Sequence, residues 1–322
     1  MISIIGSGRV GSAIAFLAAA TSLDDVHLVN QNKNEALGQA LDISNAIPEN
    51  SPISVVATDY SEIKNSEVIV ISASSGDYTT SRTEMLSEQI KMIKDIAKKI
   101  KRYAPEAKVL MVTNPVDVLT YIFQKEADFP RERVIGVASS LDSSRFRYLI
   151  ARELHTRQSE IKNALVMGEH GDSMVPIFST VDWNYKPILN FFDYDQVQKI
   201  TSEVREYWKE VRRLKGPSLF GIAKNTIDVV RSITKNEEIS VPSSVLLNGE
   251  YGLTDVCLGV PVRINKEGII QIQEIDLLKS ELESLKQSAD VIRKYLYQKQ
   301  TASSLVVFKD ENHNFPLCRV IT

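Results

Sequence analysis

Six short runs of largely β-branched residues, at 2–5, 26–29, 53–56, 68–72, 109–112 and 134–137, alternate with stretches whose apolar residues return at helical spacing. Strands separated by helices close into a parallel sheet through right-handed crossovers, so this alternation restricts the first half to a doubly wound α/β architecture. The runs are apolar instead of strictly alternating with polar residues, as strands covered on both faces are. Helices are expected at 11–20, 35–46, 82–103 and 116–125, with Pro105 stopping the third. Lys98, Lys99, Lys101 and Arg102 gather near that end, where cations complement the helix dipole, and read as a solvated face.

After Leu141 the texture changes. A helix from about Asp142 comes first, followed by short strands around 164–166 and 177–181 and a charged amphipathic helix over 194–215. A helix at 218–234 then leads to a β-rich stretch through Ile272, and a last helix is expected from about Glu274 to about Leu296. This half reads as a second, α+β unit packed on the first.

Composition narrows the classes of function. With 43% hydrophobic and 25% charged residues, 14 Gly and 11 Pro, the 322-residue chain has the make-up of an ordinary globular protein, which excludes a disordered or collagen-like chain. The 38 basic and 41 acidic side chains leave a net charge of −3, no field for coating a phosphate polymer, while a local basic pocket for a small acid stays open. Cys257 and Cys318 stand far apart with no Cys/His cluster, so neither a disulfide framework nor a metal site is expected. No run is long enough for a membrane span, and an apolar strand from Ile2 leaves no room for a leader, which points to the cytoplasm.

The first expected strand runs straight into Gly6, Ser7, Gly8, Arg9, Val10 and Gly11, a Gly-x-Gly-x-x-Gly between strand and helix. Gly6 allows the tight turn, Gly8 lets a pyrophosphate approach the backbone N–H groups at the helix start, and Gly11 lets the helix pack closely. The pattern alone is weak and gains its weight from this position. The acidic residue expected about 20 positions on, at the end of the second strand, is missing, and Asn30, Gln31, Asn32 and Lys33 stand there instead. An amide can bond a ribose hydroxyl without repelling a 2′-phosphate, and Lys33 can pair with one, so NAD and NADP both remain open.

Of the four histidines, His27 falls in a strand, His155 after a helix and His313 in the polar tail. His170 differs, lying between glycines in Gly168-Glu169-His170-Gly171-Asp172-Ser173, where a side chain can face a cleft. A lone loop histidine is more often a surface residue, so it needs partners. Asp142 and Arg145 share a helix face at the junction between the halves. They form either a surface ion pair or a working group in which Asp142 fixes the tautomer of His170 and Arg145 clamps a carboxylate. The polar loop at 74–82 follows the fourth strand at the carboxyl edge of the sheet, where ligands of open α/β sheets bind. Its last residue, Arg82, either swings in to polarise a carbonyl or rests in solvent as a helix-start arginine.

Together these residues resemble the L-lactate/L-malate dehydrogenase family, in look nearest its archaeal malate dehydrogenase branch. The resemblance is carried by Gly6 to Gly11, Thr113-Asn114-Pro115-Val116-Asp117, Leu141-Asp142-Ser143-Ser144-Arg145-Phe146-Arg147 and the His170 motif. Lys215-Gly216-Pro217-Ser218 and the stretches at 249–252 and 259–262 extend it, in family order, over about residues 1 to 296. With the change of texture, it divides the chain into a dinucleotide-binding Rossmann domain at 1–140, an α+β substrate domain at 141–296 and a C-terminal extension at 297–322. It implies a homodimer or homotetramer and a reversible hydride transfer between a nicotinamide and C2 of a 2-hydroxy acid. His170 is then the proton donor oriented by Asp142, Arg82 stabilises the developing alkoxide, Arg145 fixes the C1 carboxylate, Asn114 bridges cofactor and substrate, and Ser218 lies on the pocket wall. The implied cofactor residues are Gly6, Ser7, Gly8, Arg9, Val10, Gly11, Asn30, Ala73, Val112 and Asn114, for NAD or NADP, with no metal, nucleic acid or membrane involved.

Three departures from the family pattern matter. Malate enzymes usually carry a second arginine earlier in the loop, pairing with the distal carboxylate, whereas Gly76 or Asp77 stands there in a shorter loop. Because Ser173-Met174-Val175-Pro176 resembles the archaeal malate branch, malate is the expectation. L-lactate or another 2-hydroxy acid is the alternative, and a catalytically silent nucleotide-binding homologue is a third reading. Gln89 stands where the family often has Asn, and the tail from Tyr297 carries apolar runs at 305–308 and 317–321 that suit a docked hairpin, a floppy tail being the alternative.

Overall fold

The computed structural model describes residues 1–75 and 82–305, without the side chains of 82–85 and 298–305. Strands β1 (Ile2–Ile5), β2 (Val26–Val29), β3 (Val55–Thr58), β4 (Val68–Ile71), β5 (Lys108–Met111) and β6 (Val134–Gly136) run parallel in the order β3-β2-β1-β4-β5-β6. Helices α1 (Arg9–Ala20), α2 (Lys33–Ser44), α3 (Arg82–Tyr103) and α4 (Val116–Ala127) make the crossovers and cover both faces. The packing shows why these strands lack polar alternation: Val68 and Val70 of β4 enter one buried cluster, Ile69 and Ile71 the other, and all four are fully buried.

The strand order reverses between β1 and β4, which opens a crevice at their carboxyl ends. The loops that leave the two strands touch there, the Ser72 hydroxyl donating to the Gly6 carbonyl at 2.7 Å.

Helix α5 (Ser139–Glu153) leads into the second half. Short strands β7 (Ile161–Lys162), β10 (Asp182–Trp183) and β11 (Lys186–Pro187) form a small antiparallel sheet, and β8 (Leu165–Met167) pairs with β9 (Val175–Ile177) as a hairpin. Helix α6 (Tyr194–Lys215) starts from a capping box between Asp193 and Gln196. The core of this region centres on Phe146 and Phe178, edge to face at 4.8 Å.

After α7 (Phe220–Thr234) the chain returns to the main sheet. β12 (Ile239–Asn248) lies antiparallel on β6 through Ser244 opposite Gly136, followed outward by β13 (Thr254–Asn265) and β14 (Gly268–Ile272), which makes nine strands among the described residues. The β-rich stretch therefore completes the sheet begun by the first half. Cys257 is buried within β13.

Two expectations are corrected. The strand expected at 177–181 is β9, ending at Ile177, because the Glu281 carboxylate takes both the N–H and the hydroxyl of Ser179 and holds Phe178–Thr180 in a 3-10 turn. The last helix, α8 (Lys279–Leu305), begins later than Glu274, whose carboxylate instead accepts the N–H of Tyr251 at 2.7 Å, and it continues past Leu296. The part of the tail run at 305–308 beyond Leu305, where α8 ends, and the run at 317–321, with His313, Cys318, Gly76, Asp77 and the Arg82 side chain, lie outside the described residues.

Candidate active site

The glycine turn at the end of β1 has room for a ligand and little for side chains of its own. Gly6 has φ of +96°, and a Cβ there would fall 2.5 Å from the backbone of Ala73, so the two loops close the crevice only because position 6 is glycine. A Cβ on Gly11 would sit 1.9 Å from the Gly6 carbonyl oxygen. On Gly8, by contrast, a Cβ would meet nothing within 4 Å, so its backbone faces open space. Helix α1 starts there with no side-chain cap and no acidic residue in its first turn, and the Ser7 hydroxyl is buried without a partner. Free N–H groups, an unneutralised helix dipole and an orphan hydroxyl together suit a pyrophosphate.

The neighbouring loops extend this cradle. The Thr113 hydroxyl donates to the Ala73 carbonyl at 2.7 Å, tying the end of β5 to the end of β4. Val112 is half-buried beside it, and Asn114 stands exposed at the start of α4. Gln89 reaches back from α3 to donate to the Ser74 hydroxyl at 3.0 Å.

The predicted imidazole group assembles at the same edge. His170 Nδ1 lies 2.5 Å from Asp142 Oδ2, and the other oxygen of that carboxylate accepts from Arg145 Nη1 at 3.0 Å. Arg145 Nη2 in turn donates to the Ser218 hydroxyl at 3.1 Å, and its guanidinium stands 5.5 Å from the ring centre of Tyr207. Asp142 is 1% exposed, Arg145 7% and His170 16%, so a buried carboxylate faces two cationic side chains while the imidazole alone keeps a share of the cleft. Burial by itself pushes the His170 imidazole down, but the charge and hydrogen bond of Asp142 outweigh it and leave the ring more basic than an ordinary histidine. Since a carboxylate only accepts, Nδ1 carries hydrogen and Nε2 is the nitrogen left to serve the cleft.

The loop that carries His170 is fixed by residues outside the expected catalytic and binding set. Gly168 and Gly259 exchange backbone hydrogen bonds of 2.9 and 3.1 Å, and the Ser288 hydroxyl accepts the N–H of Glu169 at 2.8 Å. Asp117 of α4 accepts the N–H of His170 at 2.7 Å. Asp117 closes the stretch Thr113-Asn114-Pro115-Val116-Asp117 that carries the family resemblance, and a carboxylate inside the apolar run Val116-Asp117-Val118-Leu119 is the physical signal that marks it in the sequence. Asn30, the predicted ribose ligand, is also engaged, its amide donating to Glu35 at 2.9 Å. That contact brings a carboxylate from the first turn of α2 to the residue that follows β2.

A phosphate cradle and a carboxylate-anchored imidazole beside a buried arginine, on one edge of one sheet, define a nicotinamide-dependent oxidoreductase. Comparison with known proteins gives the family. Residues 1–136 match the NAD-binding domain of lactate/malate dehydrogenases, and residues 139–302 match the α/β C-terminal domain of the same enzymes. The chain is 36% identical over 299 residues to a malate dehydrogenase of Archaeoglobus fulgidus, covering 92% of this chain and 98% of that one. It is 31% identical over 300 residues to L-lactate dehydrogenase 1 of Listeria innocua, covering 92% and 96%. The solved malate dehydrogenase of Aeropyrum pernix superposes with a TM-score of 0.88 at 31% identity, over 92% of this chain and 98% of that one. This chain belongs to the lactate/malate dehydrogenase family. It is an enzyme of that family, with a Rossmann fold that binds NAD and a second α/β region, acting on small hydroxy or oxo acids.

Proposed function

We propose that this protein is a malate dehydrogenase that interconverts oxaloacetate and L-malate with NAD. The observation that carries the chemistry is the shared carboxylate of Asp142, which holds His170 at 2.5 Å and Arg145 at 3.0 Å. The malate preference is supported by relatives named malate dehydrogenase at 35% and 36% identity and by the run Ser173-Met174-Val175-Pro176.

The residues divide the work as follows. Gly6, Ser7, Gly8, Arg9, Val10 and Gly11 hold the pyrophosphate on the N-terminus of α1, with Ala73, Val112 and Asn114 along the crevice. When bound, the nicotinamide cofactor supplies the hydride that adds to C2 of the oxo acid. Arg145 offers parallel N–H groups to the C1 carboxylate, pre-aligned by Asp142, Ser218 and Tyr207. His170 holds a proton on Nε2 and gives it to the ketone oxygen, while Asp142 stabilises the charged ring before that step and keeps its tautomer after it. Arg82, which opens α3, stabilises charge on the same oxygen, and Asn114 lies between cofactor and substrate.

A second reading, an L-lactate or other 2-hydroxy-acid dehydrogenase, is favoured by Gly76 and Asp77 where malate enzymes carry an arginine. Initial rates with oxaloacetate, pyruvate and larger 2-oxo acids, each with NADH and NADPH, separate the two. A kcat/KM for oxaloacetate at least about tenfold above the others supports malate, a difference of one good charge-assisted contact. A preference for pyruvate or a bulkier acid overturns it.

A further inference from the structure

We infer that Glu35, acting through Asn30, selects a cofactor whose adenosine ribose has a free 2′-hydroxyl and rejects one with a 2′-phosphate. This rests on the nicotinamide-dehydrogenase reading and adds to it the residue that sets cofactor choice. The Gly6 N–H donates to the Val29 carbonyl at 2.7 Å, so the end of β2 lies against the phosphate turn and Asn30 is the next residue out. Its amide nitrogen donates to Glu35 Oε2 at 2.9 Å.

Glu35 occupies the third position of α2, and its N–H is bound by the side chain of the capping residue Asn32 at 3.2 Å. In a capping box the glutamate at this position bonds back to the backbone N–H of the cap. Here its carboxylate reaches past the cap to the Asn30 side chain, an arrangement helix capping does not require. The consequence is chemical. A carboxylate only accepts, so it fixes the orientation of the Asn30 amide and leaves that amide's oxygen as an acceptor. The pair presents oxygen acceptors and one full negative charge beside the glycine turn.

A ribose diol has two O–H groups to donate to such a pair. A 2′-phosphate has acceptor oxygens and further negative charge, and meets repulsion. The two nearby cations of these segments, Arg9 and Lys33, are exposed. Lys33 already acts on Asp59, whose carboxyl is held below its ordinary value first by hydrogen bonds from Ser61 and then by that lysine. With the charge of Glu35 removed, Arg9 and what remains of the Lys33 field favour a phosphate.

The test is equilibrium binding of NADH and NADPH to the full-length protein, followed by nucleotide fluorescence without substrate. Wild type is expected to bind NADH more tightly. Glu35→Gln should shift the NADH/NADPH affinity ratio toward NADPH by about tenfold, the scale of a single exposed charge whose field is screened by solvent. The exposed position of Glu35 leaves folding intact, checked by an unchanged melting temperature. Equal or tighter NADPH binding by wild type overturns the inference, as does a ratio that the Gln variant leaves unmoved. Binding of neither nucleotide overturns it together with the dehydrogenase reading. A ratio that moves as expected in a protein that reduces no 2-oxo acid upholds the role of Glu35 and removes only the substrate assignment.

Discussion

The carboxylate of Asp117 accepts the backbone N–H of His170 at 2.7 Å, while its other oxygen is buried without a partner. The loop that carries the imidazole is thereby tethered to the helix that begins beside Asn114. Burial outweighs the His170 N–H and the nearby polar and charged groups that favour the carboxylate and lifts the Asp117 carboxyl from 3.8 to about 6. The folded protein therefore holds this proton at pH values where the unfolded chain has released it. Stability from this group is greatest below the ordinary carboxylate range and declines as pH rises through about 6, by roughly 3 kcal/mol in all. Asp117→Asn keeps an acceptor for the His170 N–H but cannot ionise. In urea unfolding at a series of pH values from acid to neutral, the difference in stability between wild type and variant should grow through that window. A constant difference would show that Asp117 does not titrate there.

His170 and Asp142 make the second prediction. His170→Asn should lower kcat for 2-oxo acid reduction about 10²–10⁴-fold, the usual value of a positioned general acid, with NADH binding kept. Asp142→Asn removes the charge that holds the imidazole basic, so the alkaline limb of the reduction profile should move to lower pH. The same linkage acts on folding. The raised histidine contributes stability that is full below its ordinary value and is lost as pH rises through the folded one. An unshifted profile in the Asn variant would break the assigned coupling.

Arg145→Lys keeps the charge but loses the planar fork that spans Asp142, Ser218 and a substrate carboxylate. A fall in kcat/KM of about 10–100-fold is expected, carried largely by KM. Steady-state rates at varied oxo acid and saturating NADH measure it, and a wild-type KM would place the carboxylate elsewhere.

Gly259 is a fourth lever, set on β13 against the loop that carries His170. A Cβ there would lie 2.0 Å from the Ser139 hydroxyl and 2.8 Å from the Gly168 carbonyl. Gly259→Ala should push the His170 loop off β13, costing about 1–3 kcal/mol of stability and a larger share of kcat than of NADH affinity. Thermal melts and nucleotide titration together check the split, and equal losses of both would mean that the strain spreads to the glycine turn.

The first half of the fold was legible because its signals are local. The runs at 26–29 and 82–103 match β2 and α3 to the residue, and the glycine turn sits where β1 ends. Long-range pairing leaves no such trace. That β12 belongs beside β6 depends on one register contact, Ser244 with Gly136, which no periodicity records. The site divides in the same way. His170, Asp142, Arg145 and Ser218 are brought together as their motifs suggested. Their supports, Ser288 and Gly259, come from elements remote in sequence, and the contact of Glu35 with Asn30 leaves no trace in the strand pattern because it crosses from β2 to the helix that follows.

The antiparallel addition to the sheet also bears on how the chain is made. A chain that stops before β12 lacks the strand that flanks β6 in the folded sheet, so any parallel sheet it forms has one side of β6 unclosed. An open edge of this kind recruits any extended segment that meets it. Protection during synthesis therefore falls to whatever shelters β6 in that interval, and truncations that stop short of Ile239 should be insoluble however well their own helices form.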